Sequence, residues 1–150
     1  MPRVNEPGIH RFDLTADNVA GNCRAVVEAQ MMSMRLHSQW MKVTPKQICA
    51  TGGASNNETI LQVMADVMNC PVSRVQVAKS AALGAALRAA HAWLLETGGK
   101  ADWQKIIAGF TSPVSTQKVK PNAKAARVYD RSIEKYAKLE CQTIQKINSN

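Results

Sequence analysis

Ile48-Cys49-Ala50-Thr51-Gly52-Gly53-Ala54-Ser55-Asn56-Asn57-Glu58-Thr59-Ile60-Leu61 is the stretch that decides how this chain is read. Gln47 to Thr51 is a short apolar run bounded by Pro45 and by Gly52-Gly53, which predicts a buried strand. Asn56 or Asn57 then caps a helix over 58–69, with Ile60, Leu61, Met64, Val67 and Met68 as its buried stripe and Pro71 as its stop. Glycines at the carboxyl end of a strand let a flat ligand approach the backbone without interference from a Cβ atom. The helix that follows offers unpaired N–H groups and the positive end of its dipole. Open α/β sheets bind ligands beyond the carboxyl ends of their strands. Asn57 adds an amide that both donates and accepts, which suits a purine edge. A Gly-Gly turn is also an ordinary tight connection, and the residues alone leave both readings open.

Outward from this centre the pattern alternates between helix and strand. Toward the N-terminus, Thr15 is the expected cap of a long helix over 16–41, whose apolar face includes Val19, Cys23, Val26, Val27, Met31 and Met34. Toward the C-terminus, Val72-Ser73-Arg74-Val75-Gln76-Val77 is β-branched and partly alternating, a second strand. Ser80 is the expected cap of an Ala-rich helix to Glu96, ended by Gly98-Gly99, and Gly84 within it implies a packing reason for its place. Asp102 caps a short helix through Ala108, and residues 109–122, with Pro113 and Pro121, read as a loop. Asn122 caps a last amphipathic helix over 123–147, with Val128, Tyr129, Ile133, Tyr136, Leu139 and Ile144 facing inward. Two strands joined through a helix imply a parallel crossover. A two-stranded sheet is weak on its own, so the pattern is that of a helix-rich part of a larger α/β layer structure.

Composition narrows the classes. With 150 residues, 45% hydrophobic and 20% charged, the chain is globular and of single-domain size. It holds no apolar run of about 18 residues, so no membrane partner is expected. The net charge of +8 comes from scattered basic residues. The densest group, Lys118, Lys120, Lys124 and Arg127, has no interleaved aromatic platform, so no nucleic-acid partner is expected either. Cys23, Cys49, Cys70 and Cys141 form no CxxC pair and match no metal spacing with the histidines. Three of them lie in apolar stretches and read as buried free thiols, which points to a reducing, cytoplasmic compartment.

Known phosphate and nucleophile motifs are missing. There is no Walker loop, no GxGxxG and no GxSxG. Asp13, Asp17, Glu28, Glu58 and Asp66 make no evident catalytic pair, and no general base stands out.

The stretch from Ile48 to Val67 resembles the adenosine-binding segment of FGGY-type carbohydrate kinases, and within them it is most similar to the xylulose kinases of eukaryotic type. Cys23-Arg24-Ala25-Val26-Val27-Glu28-Ala29-Gln30 resembles the family's Arg-Ala-x-x-Glu-Gly-Gln helix, with Ala29 where many relatives have Gly. Pro71-Val72, Ser80 to Ala86, and Tyr136-Ala137-Lys138-Leu139-Glu140 resemble later segments in the same order, so that the likeness covers about 7–146. The resemblance implies a partial ribonuclease-H-like, actin-like ATPase domain, helix-rich with about two strands remaining. It implies that residues 1–150 are the C-terminal portion of the second, nucleotide-binding domain, with the first domain absent. It also implies ATP and Mg in the complete enzyme, with phosphoryl transfer to D-xylulose. Gly53 and Ala54 would contact the nucleotide through backbone, Gly52 would shape the turn, and Asn57 would contact adenine. The sugar site and the aspartate base lie upstream in the family and map onto no residue here, so the chain alone is expected to be inactive and, with uncovered edges, to self-associate. The alternative is a non-catalytic, kinase-like module that binds nucleotide or protein.

Overall fold

The structure, a computed structural model, describes residues 9, 11–75, 79–110 and 113–148. Its elements are α1 (Val19–Ser38), a 3-10 turn (Gln39–Met41), β1 (Ile48–Ala50), a second 3-10 turn (Gly53–Asn56), α2 (Glu58–Met68), β2 (Val72–Val75), α3 (Ser80–Glu96), α4 (Trp103–Ile107), β3 (Pro113–Val119) and α5 (Ala123–Asn148). They fall into two compact units. One comprises the described residues up to Thr44, Val63–Asn69 and those from Pro121 onward; the other comprises Pro45–Gln62 and the described residues of Cys70–Lys120.

The first unit is helical. Its core is Met31 of α1, Val63, Ala65 and Val67 of α2, and Ala126, Tyr129 and Ile133 of α5, all buried. Helix α1 begins later than its sequence predicts. The Asn18 side chain caps it, accepting from the Gly21 N–H at 2.9 Å, while the Thr15 carbonyl accepts from the Asn22 side-chain amide at 2.8 Å. Thr15 is therefore part of the approach to the helix and not its cap. Lys42, in the left-handed region at φ 51°, ends the 3-10 turn. Asn122 caps α5 as expected, accepting from the N–H groups of Lys124 (2.9 Å) and Ala125 (3.3 Å). Its own N–H donates to the buried Asp66 carboxylate at 2.7 Å. Val128 lies on the outer face of α5, half exposed, in contrast to the inward position its sequence spacing predicts.

The second unit carries a three-stranded sheet in the order β1-β2-β3. Strands β1 and β2 are parallel, with Ile48 opposite Val72 and Ala50 opposite Arg74. Strand β3 lies antiparallel to β2, with Val72 opposite Val119 and an irregularity between Ser73 and Val75. The sequence predicts a loop where β3 runs. Pro113 is the first residue of that strand and Pro121 lies just past its end, positions at the strand ends that cost no central ladder bond. The end of the predicted second strand, Gln76 and Val77, lies outside the described residues.

Helix α3 has no buried residue, and Trp93 and Leu95 are exposed. Lys79, not Ser80, occupies the cap position, and no side chain caps the helix there. A Cβ added at Gly84 would meet no atom within 4 Å, so no packing contact among the described residues requires glycine there. The cysteines also depart from expectation. Only Cys70 is buried, donating its thiol to the Pro45 carbonyl at 3.1 Å; Cys23, Cys49 and Cys141 are exposed. Burial pushes the Cys70 thiol pKa upward, partly offset by the charge of Lys118.

Candidate functional site

The loop between β1 and α2 is built by its own hydrogen bonds. Gly52 has φ 89° and ψ −179°, a conformation essentially reserved for glycine. Its carbonyl accepts from both the Ser55 hydroxyl at 2.7 Å and the Ser55 N–H at 3.1 Å. The Asn57 N–H donates to the Ala54 carbonyl at 3.1 Å, which closes the 3-10 turn. Ser55 is buried, whereas Gly53, Ala54 and Asn57 are exposed. The backbone thus turns inward through Ser55 and presents Gly53, Ala54 and Asn57 outward. Gly53 differs from Gly52 in kind. Its φ is not positive, and a Cβ there would meet nothing within 4 Å.

Asn57 does two things at once. Its Oδ1 caps α2, accepting from the N–H groups of Thr59 (2.9 Å) and Ile60 (3.2 Å). The carbonyl half of the amide is therefore engaged, and the NH₂ half is what it can offer a ligand. The residue type alone predicts a combined donor and acceptor; the cap leaves it a donor.

Arg74 is a neighbour of the loop that a linear reading of the sequence misses. The β1–β2 register sets it opposite Ala50, at the carboxyl end of β1, and its guanidinium donates to Asn56 Oδ1 at 3.2 Å. A cation is thereby fixed beside the glycine loop. The signal lies in the strand register, which neither strand carries by itself. On the Thr51 side of the same unit is a cavity of about 320 Å³, walled by Cys49, Thr51, Val75, Ser80, Gly84 and Phe110 among others. None of Gly52, Gly53, Ala54 and Asn57 lines it, so the loop and the cavity are separate surfaces.

The Arg24–Glu28 segment belongs to the other unit and is structural in its contacts. Glu28 Oε1 accepts from the Tyr129 hydroxyl and from Arg24 Nε, both at 2.7 Å. Burial, and then the bond to Glu28, hold the Tyr129 phenol pKa above its ordinary value. A carboxylate so occupied is not a free base. Among the described residues no cluster of three or more His, Cys, Asp or Glu side chains could hold a metal ion, and no helix is long and apolar enough to cross a membrane.

A strand-to-helix turn through two glycines thus stands at the carboxyl end of a parallel strand, beside Arg74, in an actin-like ATPase fold. Residues 8–93 match the C-terminal domain of the FGGY family of carbohydrate kinases, and the chain belongs to that family. It is 36% identical over 149 residues to the xylulose kinase of Rattus norvegicus, covering 93% of this chain and 27% of that protein. It is 43% identical over 98 residues to xylulose kinase 2 of Arabidopsis thaliana, covering 64% of this chain and 17% of that one. The crystal structure of gluconate kinase from Lactobacillus acidophilus superposes with a TM-score of 0.65 at 25% identity, covering 82% of this chain and 24% of that one. The chain thus spans about a quarter of the length of the rat and Lactobacillus proteins, and its match spans less of the Arabidopsis one.

Proposed function

We propose that this chain is the C-terminal portion of the second domain of an ATP-dependent D-xylulose kinase and that its Gly52–Asn57 loop holds the adenosine end of ATP. Phosphoryl transfer in such enzymes rests on in-line positioning and on Mg-assisted charge stabilisation. In this reading the metal and the sugar are held by other parts of the complete kinase. Gly52 sets the turn, Gly53 and Ala54 present bare backbone to the nucleotide, and the Asn57 NH₂ group donates to a purine nitrogen. Arg74 keeps Asn56 in place and adds positive charge where the nucleotide arrives.

One observation carries this reading: Gly53 is a glycine that neither backbone conformation nor packing requires. Close approach of a ligand supplies the reason for it. Replacing Gly53 with Val in the complete enzyme is expected to raise the KM for ATP strongly while leaving sugar binding nearly intact. An unchanged ATP KM would show that the turn is only a connection. The chain by itself is expected to have no turnover, since the family's aspartate base and sugar site map onto no residue here. Formation of ADP dependent on both ATP and xylulose, by protein free of host kinase, would contradict this.

A further inference from the structure

The helical unit holds a cavity of about 510 Å³ that the nucleotide reading does not use. Its apolar wall is made by Phe12, Met32, Tyr136 and Leu139, and its charged groups are Lys135 and Lys138 of α5 and Asp13 of the segment before α1. The volume lies within the range of small-molecule sites, which are apolar with a few placed polar groups. Lys135 and Lys138 are three residues apart on α5 and therefore share a face. Both are exposed, and neither pairs with a carboxylate among the described residues. Arg24 and Arg35 of the same unit pair with Glu28 and Asp130 and lie away from the cavity lining. Two lysines and two aromatic rings thus border one cavity.

We infer that this cavity binds a small molecule with a flat apolar body and a dianionic phosphate monoester. The apolar body lies against Phe12, Tyr136 and Met32, and the phosphate lies at the α5 wall, where two lysines match its two charges. Asp13 disfavours an anionic group on the segment before α1 and so fixes the direction in which the ligand enters.

The test is a titration of the 150-residue chain, labelled with ¹³C at its methionine methyls, with 1-naphthyl phosphate, 1-naphthoate and 1-naphthol. The Met32 resonance is assigned with Met32→Leu. The expected result is a saturable shift of the Met32 methyl with naphthyl phosphate, at a dissociation constant below about 1 mM. Naphthoate and naphthol should bind more weakly. The exposed double substitution Lys135→Gln/Lys138→Gln should weaken the phosphate by about three- to tenfold, the sum of two exposed charge contacts. Phe12→Ala should weaken all three compounds alike. No Met32 shift at about 5 mM overturns the site. Equal binding of phosphate and carboxylate, or an unchanged affinity in the double variant, overturns the assignment of a dianion.

Discussion

The loop from Gly52 to Asn57 and the helix pair α1–α5 use polar groups in opposite ways. In the loop, the hydrogen bonds that shape the turn join residues three or fewer apart, with Arg74 reaching in to Asn56 from β2, and they leave the outer surface of Gly53 and Ala54 bare. In the helix pair, polar side chains reach across about a hundred residues: Tyr129 to Glu28, Arg35 to Asp130, and His37 Nε2 to within 2.9 Å of Glu140. A surface that satisfies itself locally can be exposed without cost and is free to meet a ligand. Side chains that satisfy one another at long range define packing, and their loss is felt as instability. The charged residues of the family's Arg-Ala-x-x-Glu helix thus hold α1 to α5, and the plain glycines are the candidates for binding.

Removing Arg35 tests this division most severely. One of its N–H groups donates to the Val67 carbonyl at 2.7 Å and another to Asp130 at 2.8 Å. Val67 is fully buried, so Arg35→Ala leaves its carbonyl without a charged donor. The expected loss is about 3 kcal/mol, most of it from the Val67 bond, because the exposed pair with Asp130 contributes little. For a chain of this size that lowers the melting temperature by about 6–12 °C. A scanning melt reads this; a shift within about 2 °C would mean that water replaces the guanidinium and that α1 is held by apolar contact alone.

Much of this arrangement is legible in the sequence, and the parts that are not have physical causes. Strand β1, the glycine turn, α2 and the caps at Asp102 and Asn122 are local signals, set by residues within four positions of one another. The cap of α1 is easily misplaced because Thr15 and Asn18 are both good caps, and the choice depends on Asn22 bonding back to the Thr15 carbonyl. Strand β3 is hidden by its flanking prolines, because its pairing with β2 is a long-range event. The exposure of Cys49 and the placing of Arg74 both depend on the register of β1 against β2, which is not written in either strand alone.

Within the loop the two glycines refine the same contrast. Gly52→Ala forces a side chain into a conformation that only glycine adopts readily, at a cost of about 2 kcal/mol. Gly53→Ala meets no atom and no forbidden φ, so it is expected to be neutral in the apo chain to within about 0.5 kcal/mol. Denaturant unfolding of the two variants side by side measures the difference. Equal losses would show that Gly53 is also a structural glycine and would remove the argument that a ligand explains it.

Asn57 gives the smallest effect and the finest separation, because one amide serves both the fold and the proposed ligand. Its Oδ1 caps α2, and its NH₂ group is left for the purine. Asn57→Ala removes both and cannot tell them apart: a lost cap costs about 1 kcal/mol of stability. Asn57→Asp removes only the donor. The carboxylate still accepts from Thr59 and Ile60, and its negative charge is favourable at a helix N-terminus, so stability should be unchanged or slightly higher. In the complete enzyme the lost donor is worth about 0.5–1.5 kcal/mol, or roughly 2- to 13-fold in ATP affinity, with weaker discrimination between ATP and GTP. Ser at this position keeps a cap without the charge, and so separates the missing donor from repulsion between an aspartate and the triphosphate. If Asn57→Asp and Asn57→Ser both melt as the parent does and bind ATP and GTP as the parent does, Asn57 is a helix cap and nothing more. The adenine would then have to be read by backbone at Gly53 and Ala54 alone.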